Sequence, residues 1–434
     1  METKKLNKID KVILCLSIAL FCVASLLIFY HTPGIKAHFE GDSVRYNFIA
    51  HNLKYLTNIP LEVLGYPTFL GLLYKIWDHI FIIVLAQIIL SILSLFLIRS
   101  IIKKIMSDTR ALIASTLFWF LNLGFLIYTQ LLLIEIILAF FLLIFINYVI
   151  TYYQRPSYWT CAQAGFILGI SILFRPAALF YALCFPILLL LVTKITLYKR
   201  IISSILFLCA FYVPVIAYMT LNYFYFGVFV ICPVMNVNLF SFYFPKLQTA
   251  FATHNIAPTE ITRAIEQDIV QKTTTNTTQV NLIKLCLQQP TIAINIWLIN
   301  TLKSLIGLYQ TQWKLYFELA DHATSYFCLP GNCFSCLAGY IYTGTTKTWL
   351  HMLGWFELIY LLIEYAAVAF GSLALFINKK YWLLCFALSF ILYFAFITGP
   401  DGSGRFRMML EPWLLALAAL GIAWLFNNRQ KEIA

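Results

Sequence analysis

Residues 12–30 read VILCLSIALFCVASLLIFY, an uninterrupted apolar stretch that follows the basic side chains of Lys4, Lys5, Lys8 and Lys11. A helix needs about 20 apolar residues to cross a bilayer, so this stretch predicts a first membrane span. No small-residue cleavage site is evident after it, which favours a retained span over a removed signal peptide. The basic flank predicts a cytoplasmic amino terminus.

The composition of the whole chain has the same character. Of its 434 residues, 62% are hydrophobic and 11% are charged, and the mean hydropathy is +0.84. This excludes a soluble protein, because so much apolar backbone must satisfy its hydrogen bonds inside helices. The aromatic share of 17% suits lipid-facing helices and interfacial belts. The net charge of +12 comes largely from short Lys and Arg clusters between apolar runs, so we expect membrane lipids and no nucleic acid as partners.

The apolar runs predict an all-α integral membrane protein with about ten spans, forming one polytopic domain over residues 1–434. The runs are 12–30, 79–101, 111–129, 131–150, 160–174, 177–193, 201–221, 352–377, 381–398 and 408–426. With this count, the basic clusters all fall on the cytoplasmic side, together with both termini. Run 292–310 carries Lys303 in its middle, so we interpret it as an interfacial or re-entrant helix on the outer face.

Two long segments, 32–78 and 222–350, lie outside in this topology. In the first, apolar residues at helical spacing predict an amphipathic helix over 43–56, and a second apolar stretch covers 66–77. In the second, 259–272 is polar and compatible with a helix. These segments could together roof a cavity at the outer leaflet. Most acidic side chains also fall on this face, which locates the functional side.

Asp42 begins the predicted amphipathic helix just beyond the first span. Two interpretations stay open: an N-cap that accepts backbone hydrogen bonds, or a general base held at the membrane surface. Glu40, two residues earlier, could bind a metal, modulate the pKa of Asp42, or be a solvated loop acid.

Glu135 and Arg175 are ionisable groups at the outer ends of apolar runs. Glu135 lies among Leu133, Ile134 and Ile136, where a carboxylate is costly and a functional role is the default hypothesis. The alternative is a side chain that reaches up to the interface. Arg175 lies at an outer turn against the usual distribution of positive charge, which indicates an anionic partner.

The last hairpin, residues 398–407 (TGPDGSGRFR), delivers Arg405 and Arg407 to the mouth of the final span. Arginine forks match phosphate oxygens bidentately, although interfacial anchoring is the simpler alternative. The two side chains would diverge if both were helical, and could converge if Arg405 were still in the turn. No nucleotide-binding loop, serine-hydrolase pattern or zinc-protease motif appears.

Several stretches resemble the GT-C superfamily of polyprenyl-phosphate-sugar-dependent glycosyltransferases, near the protein mannosyltransferase and lipid A aminoarabinose transferase group. They are 42–46 (DSVRY), 50–53 (AHNL), 65–70 (GYPTFL), Glu135, 169–176 (GISILFRP), Asn222 with Tyr223 and Gly227, and 405–407 (RFR) with Pro412. The resemblance covers most of the chain. The chain departs from that group at Ile134, where a polar residue is usual, and at Gly41, which separates acids that are adjacent in the protein mannosyltransferases.

The resemblance implies a helical membrane core, an inverting transfer from a polyprenyl-phosphate sugar, Asp42 as the catalytic base and arginines on the lipid phosphate. We therefore expect Asp42 and Glu135 to be catalytic, and Arg175, Arg405 and Arg407 to bind the donor phosphate. Candidates for acceptor or metal contacts are Glu40, Arg45 and Tyr66. The acceptor would be a lipid, a glycan or a protein, and the compartment a bacterial inner membrane with the site facing the periplasm.

Metal and redox chemistry stay open in the sequence. Asp42 with Glu40 or Glu135 could hold a divalent cation or none. Cys328, Cys333 and Cys336 lie in a Gly- and Pro-bearing loop, where a disulfide and free thiols are both compatible with the pattern.

Two other functions compete with the transferase. A lipid-linked glycan transporter or flippase would show ionisable residues at mid-membrane depth and broken helices in paired halves. A glycan ligase would share the architecture but move a finished glycan, and the sequence does not separate it from the transferase.

Overall fold

The computed structural model of the chain describes residues 2–32, 38, 42–53, 63–191, 195–232, 238–256, 259–270, 276–318, 339–343, 345–399 and 403–433. Every regular element within these ranges is helical, which confirms the predicted all-α class. Glu40, Cys328, Cys333 and Cys336 lie outside the described residues.

The first half of the chain forms long apolar helices with two short helices in the predicted outer segment. The helices are α1 (Glu2–Tyr30), α2 (Asp42–His51), α3 (Gly65–Tyr74), α4 (Ile80–Ile105), α5 (Thr109–Leu121), α6 (Leu123–Tyr128), α7 (Glu135–Gln154), α8 (Tyr158–Ile172), the 3₁₀ helix Pro176–Ala178, α9 (Tyr181–Leu190) and α10 (Leu197–Phe226).

The second half begins with shorter helices and ends with three apolar ones. These elements are the π-helix Asn238–Tyr243, α11 (Phe244–Thr253), α12 (Glu260–Val270), α13 (Asn276–Gln288), α14 (Pro290–Ile306), α15 (Gln310–Glu318), α16 (Thr348–Ile377), α17 (Tyr381–Thr398), the 3₁₀ helix Gly404–Met409 and α18 (Glu411–Ile433).

The helices long and apolar enough to cross a membrane number six in the described part of the chain: α1, α4, α7, α10, α16 and α17. The remaining predicted spans correspond to shorter apolar helices, so the count of about ten is not confirmed. A side-chain cap shortens one of them. Asn122 ends α5 and accepts a hydrogen bond from the Gly124 amide at the start of α6, which breaks the run 111–129 in two.

The helix that covers most of the predicted re-entrant run follows a sharp bend. Helices α13 and α14 meet at 104°, a geometry that belongs to a broken span or a re-entrant loop. The bend lies between Gln288 and Pro290, before run 292–310, so the interfacial or re-entrant placement of this run stays a prediction. The predicted helix 43–56 is also shorter than expected, because α2 begins at Asp42 and ends at His51. It has two faces, with Ile49 buried and Phe48 exposed.

Basic side chains gather at one end of the helical bundle. Arg99, near the end of α4, pairs with Asp10 in the first turns of α1. The Lys380 ammonium donates to the Ile105 carbonyl, and Arg110 donates to Asn427 in α18. The first turns of α1 and the last turns of α18 therefore lie on this side of the bundle, which we call the basic end. Glu135 begins α7 at the opposite end, because the last turns of α7 contact Lys104.

Helices α16 and α18 approach each other closely through glycines. A Cβ at Gly371 would lie 2.0 Å from the Leu417 carbonyl oxygen, and one at Gly421 would lie 2.0 Å from that of Ala367. Small residues permit such backbone approach between membrane helices. This packing holds the start of α18, and with it the last hairpin, against the bundle.

Candidate functional site

Four of the predicted site residues come together at the end of the bundle opposite the basic end. Each stands at the start of a helix or in a turn: Asp42 is the first residue of α2, Glu135 is the first residue of α7, Arg175 precedes the 3₁₀ helix Pro176–Ala178, and Arg405 lies in the 3₁₀ helix Gly404–Met409. We call these four residues the outer charge cluster.

Arg405 joins the two carboxylates of the cluster. Its Nη1 donates to Asp42 Oδ2 at 2.8 Å, and its Nε donates to Glu135 Oε1. Arg175 Nη1 lies 3.5 Å from the same Glu135 oxygen. Arg45, one turn along α2, donates from Nη2 to Asp42 Oδ1 at 2.9 Å. Three arginines thus surround two carboxylates among the described residues, which leaves an excess of positive charge.

The two carboxylates differ in exposure. The Glu135 side chain is 1% exposed, whereas that of Asp42 is 33% exposed. Burial raises the pKa of Asp42, but the charges of Arg405, Arg45 and Arg175 and the hydrogen bond from Arg405 outweigh it, so the pKa lies below its ordinary value. Asp42 is therefore ionised at neutral pH and is the more accessible of the two acids.

Two polar atoms of the cluster are buried without a hydrogen-bond partner in the described part of the chain. They are Glu135 Oε2 and Arg405 Nη2. Buried polar atoms are nearly always paired in folded proteins, so unpaired ones need an explanation. A buried charged donor and a buried charged acceptor without partners in one cluster are a feature expected of a site that a ligand completes.

Phe406 and Gln87 support the cluster, and sequence reasoning missed both. The Arg175 guanidinium lies 4.4 Å from the centre of the Phe406 ring, a cation–π contact. Gln87 Nε2 donates to the carbonyls of Thr129 and Leu131 at 3.1 and 2.9 Å, which fixes the turn before Glu135. A glutamine inside an otherwise apolar span was the available signal.

The other predicted residues have different surroundings. Tyr66 is 1% exposed, and its hydroxyl donates to Gln87 Oε1 at 3.1 Å, so it braces the same turn from α3. Arg45 contacts Asp42 of the cluster. Arg407 points away and does not join the cluster; its side chain is 0% exposed and binds Glu357 and Glu411. The alternative in which the two arginines of the last hairpin converge is therefore wrong.

The described residues do not fit a divalent cation. They contain no group of three or more His, Cys, Asp or Glu side chains that could hold a metal ion. Arg405 also stands between Asp42 and Glu135, where it supplies the positive charge that a cation would otherwise bring.

Comparison with known proteins shows the fold. No known protein-family model matches the chain, and no curated protein sequence matches it. Among solved structures it is similar to the crystal structure of the Archaeoglobus fulgidus oligosaccharyltransferase, tethered through a disulfide bond to an acceptor peptide that contains the NVT sequon. The TM-score is 0.54 and the identity 10%, over 96% of this chain and 50% of that chain. The chain thus spans about half the length of this neighbour and is similar to it in fold.

Proposed function

We propose that this protein is a membrane glycosyltransferase that moves a sugar, with inversion, from a polyprenyl-phosphate donor to a lipid, glycan or protein acceptor. The observation that carries the proposal is the outer charge cluster with Arg45 beside it, where three arginines surround two carboxylates and one carboxylate, Asp42, is accessible. The shared fold with an oligosaccharyltransferase supports the same class of chemistry.

The arginines suit a phosphate. Arg405 and Arg175 both contact the same Glu135 oxygen, and the buried Arg405 Nη2 has no hydrogen-bond partner among the described residues. Arginine forks bind phosphate oxygens bidentately, and a low-dielectric site strengthens this attraction. A phosphodiester that enters the cluster would offer oxygens to Arg405 and balance the excess positive charge.

Asp42 suits the role of base, but both of its oxygens accept hydrogen bonds from arginines. We infer that the donor phosphate competes with Asp42 for Arg405 and frees Oδ2. The acceptor hydroxyl or amine then loses its proton to Oδ2 as its oxygen or nitrogen bonds to the anomeric carbon. The bond from that carbon to the phosphate oxygen breaks, polyprenyl phosphate leaves with the electron pair, and Arg175 and Arg405 hold its charge.

The proposed orientation follows from charge. The cluster lies at the end of the bundle opposite the basic end, and positive side chains mark the cytoplasmic side. The site would then face the periplasm of a bacterial inner membrane.

The test is transfer from a panel of radiolabelled polyprenyl-phosphate sugars by purified protein in detergent. We expect wild-type turnover, and a loss of about 10²- to 10⁴-fold in Asp42→Asn with donor still bound. Asp78→Asn is the matched control, because Asp78 lies in the same outer segment and is 76% exposed. Absence of both turnover and binding with every donor would refute the donor assignment.

Transport is the second candidate, and the 104° bend between α13 and α14 is the feature that favours it. The same donors in proteoliposomes separate the two functions. A transporter moves labelled donor across the bilayer without an acceptor, whereas the proposed enzyme transfers the label. Use of an oligosaccharide-linked lipid but no single-sugar donor would identify the ligase.

A further inference from the structure

Arg407 is the most completely paired charged group near the outer charge cluster. Its Nε donates to Glu411 Oε1 at 3.2 Å, its Nη2 to Glu357 Oε1 at 3.1 Å, and its Nη1 to the Gly307 carbonyl at 2.6 Å. The guanidinium also lies 4.1 Å from the centre of the Tyr309 ring. Each of its nitrogens donates to the protein and the side chain is 0% exposed, so a substrate cannot reach Arg407 in this arrangement.

The partners of Arg407 tie several helices together. Glu357, in α16, accepts hydrogen bonds from the backbone amides of Tyr309 and Gln310 at 2.6 and 3.0 Å. The Tyr309 hydroxyl donates to Glu411 Oε1 at 3.0 Å, at the start of α18. We call Arg407, Glu357, Glu411 and Tyr309 the hairpin clamp, because they join the last hairpin to the α14–α15 corner, α16 and α18.

The hairpin clamp acts on the turn that carries Arg405. Arg405 and Arg407 lie in the same 3₁₀ helix, and residues two apart in such a helix point about 240° apart. Gly404, next to Arg405, packs on the same corner, since a Cβ there would lie 2.6 Å from the Gly307 carbonyl oxygen. The same carbonyl accepts the hydrogen bond from Arg407 Nη1. The Gly307 carbonyl therefore limits how closely the 3₁₀ helix Gly404–Met409 packs on the corner and also holds its Arg407 side chain.

We propose that Arg407, held by Glu357 and Glu411, is a positioning residue that fixes the rotation of the 3₁₀ helix Gly404–Met409 and so aims the Arg405 guanidinium at Asp42 and Glu135. The role in catalysis rests on the proposed function. Supporting residues that hold the groups of a site typically change its activity by about 10- to 100-fold when altered, because the site becomes misaligned.

The test compares Arg407→Lys with Arg99→Lys. Arg99 is the matched control, since it is a buried arginine in bidentate contact with Asp10, at 2.9 and 2.6 Å, at the basic end. Both variants should lower the thermal midpoint in detergent. Only Arg407→Lys should lower kcat/KM for transfer, by roughly 10- to 100-fold per folded molecule. Equal kinetics in the two variants would overturn the positioning role.

A second variant and a second readout keep the proposal testable if Arg407→Lys fails to fold or if no donor is turned over. Tyr309→Phe removes only the hydroxyl bonded to Glu411 and should lower kcat/KM several-fold; wild-type kinetics there would overturn the proposal. If no donor is turned over, thermal midpoints test the proposal instead. They are measured for Arg405→Lys, for the clamp variant that folds (Arg407→Lys or Tyr309→Phe) and for the double variant that combines the two changes. A fall in the double variant smaller than the sum of the single falls supports positioning, and strict additivity overturns it, whatever the reaction is.

Discussion

The basic end and the outer charge cluster both contain a buried arginine paired with carboxylate, but they satisfy it differently. Arg99 gives Asp10 two parallel hydrogen bonds and donates its remaining contacts to the Leu112 carbonyl and the Thr116 hydroxyl. Arg405 is shared between two carboxylates, and its buried Nη2 has no hydrogen-bond partner among the described residues. Arg99 thus has one carboxylate to itself, whereas Arg405 divides its bonds between two.

The difference separates structural from functional charge. A buried ion pair is tolerated when further hydrogen bonds support it, as those to the Leu112 carbonyl and the Thr116 hydroxyl do at Arg99. The outer charge cluster together with Arg45 has one more arginine than carboxylates, and two of its buried polar atoms have no hydrogen-bond partner among the described residues. A bound anion would offset the free-energy cost of this arrangement. The two regions should therefore respond in opposite ways to loss of charge.

The largest expected effect comes from Arg405→Gln. Transfer should fall by about 10³-fold, or about 4 kcal/mol of transition-state stabilisation, because the leaving phosphate loses its main cation. Stability should change less than at the basic end, since Asp42 keeps Arg45 at 2.9 Å and Glu135 keeps Arg175 at 3.5 Å. The assay is the single-turnover rate beside the thermal midpoint. If Arg405→Gln instead lowered the thermal midpoint strongly and left the transfer rate of the folded fraction unchanged, Arg405 would be a structural arginine like Arg99.

The next effect is on stability. Asp10→Asn leaves the Arg99 charge buried with no carboxylate and should destabilise the protein by about 3 kcal/mol. Transfer per folded molecule should stay at the wild-type value, because this pair lies at the opposite end from the outer charge cluster. Denaturation in detergent measures the first quantity and an activity assay on the folded fraction the second. Loss of transfer at unchanged stability would mean that the two ends are coupled.

The sequence predicted the parts of the cluster that depend on membrane position. Apolar runs and basic clusters placed Asp42, Glu135, Arg175 and Arg405 at the outer ends of helices, and the structure brings these four side chains together. The polypeptide between them is held by the spans, so residues far apart in sequence meet if they reach the same end of the bundle.

The direction of a side chain within a turn could not be read from the sequence. Arg405 and Arg407 look equivalent there, and they separate only because a 3₁₀ helix forms against Gly307 and because two glutamates from other helices bind Arg407. The span count is not confirmed for a related reason, since hydropathy does not register a cap such as Asn122 inside an apolar run.

The smallest and sharpest effect concerns the pKa of Asp42. The lowered value means that Asp42 is ionised at all pH values above its ordinary pKa of 3.8, so the acid limb of kcat/KM that reports it should lie below that pH. The stabilisation from its arginines is likewise present above that pH and is lost as the pH falls through the lowered pKa. Arg45→Gln removes one of the charges that lower the pKa, while the burial that raises it remains.

The acid limb of Arg45→Gln should therefore move to higher pH, with little change in the plateau rate, because Arg45 touches Asp42 from the exposed side, where its side chain is 45% exposed. Arg45→Lys keeps the charge and should leave the limb near its wild-type position. The measurement is kcat/KM for transfer across the acid range in the three proteins. An acid limb that stays fixed in Arg45→Gln would assign the titrating base to a group other than Asp42, because Arg45 is one of the charges that lower the pKa of Asp42.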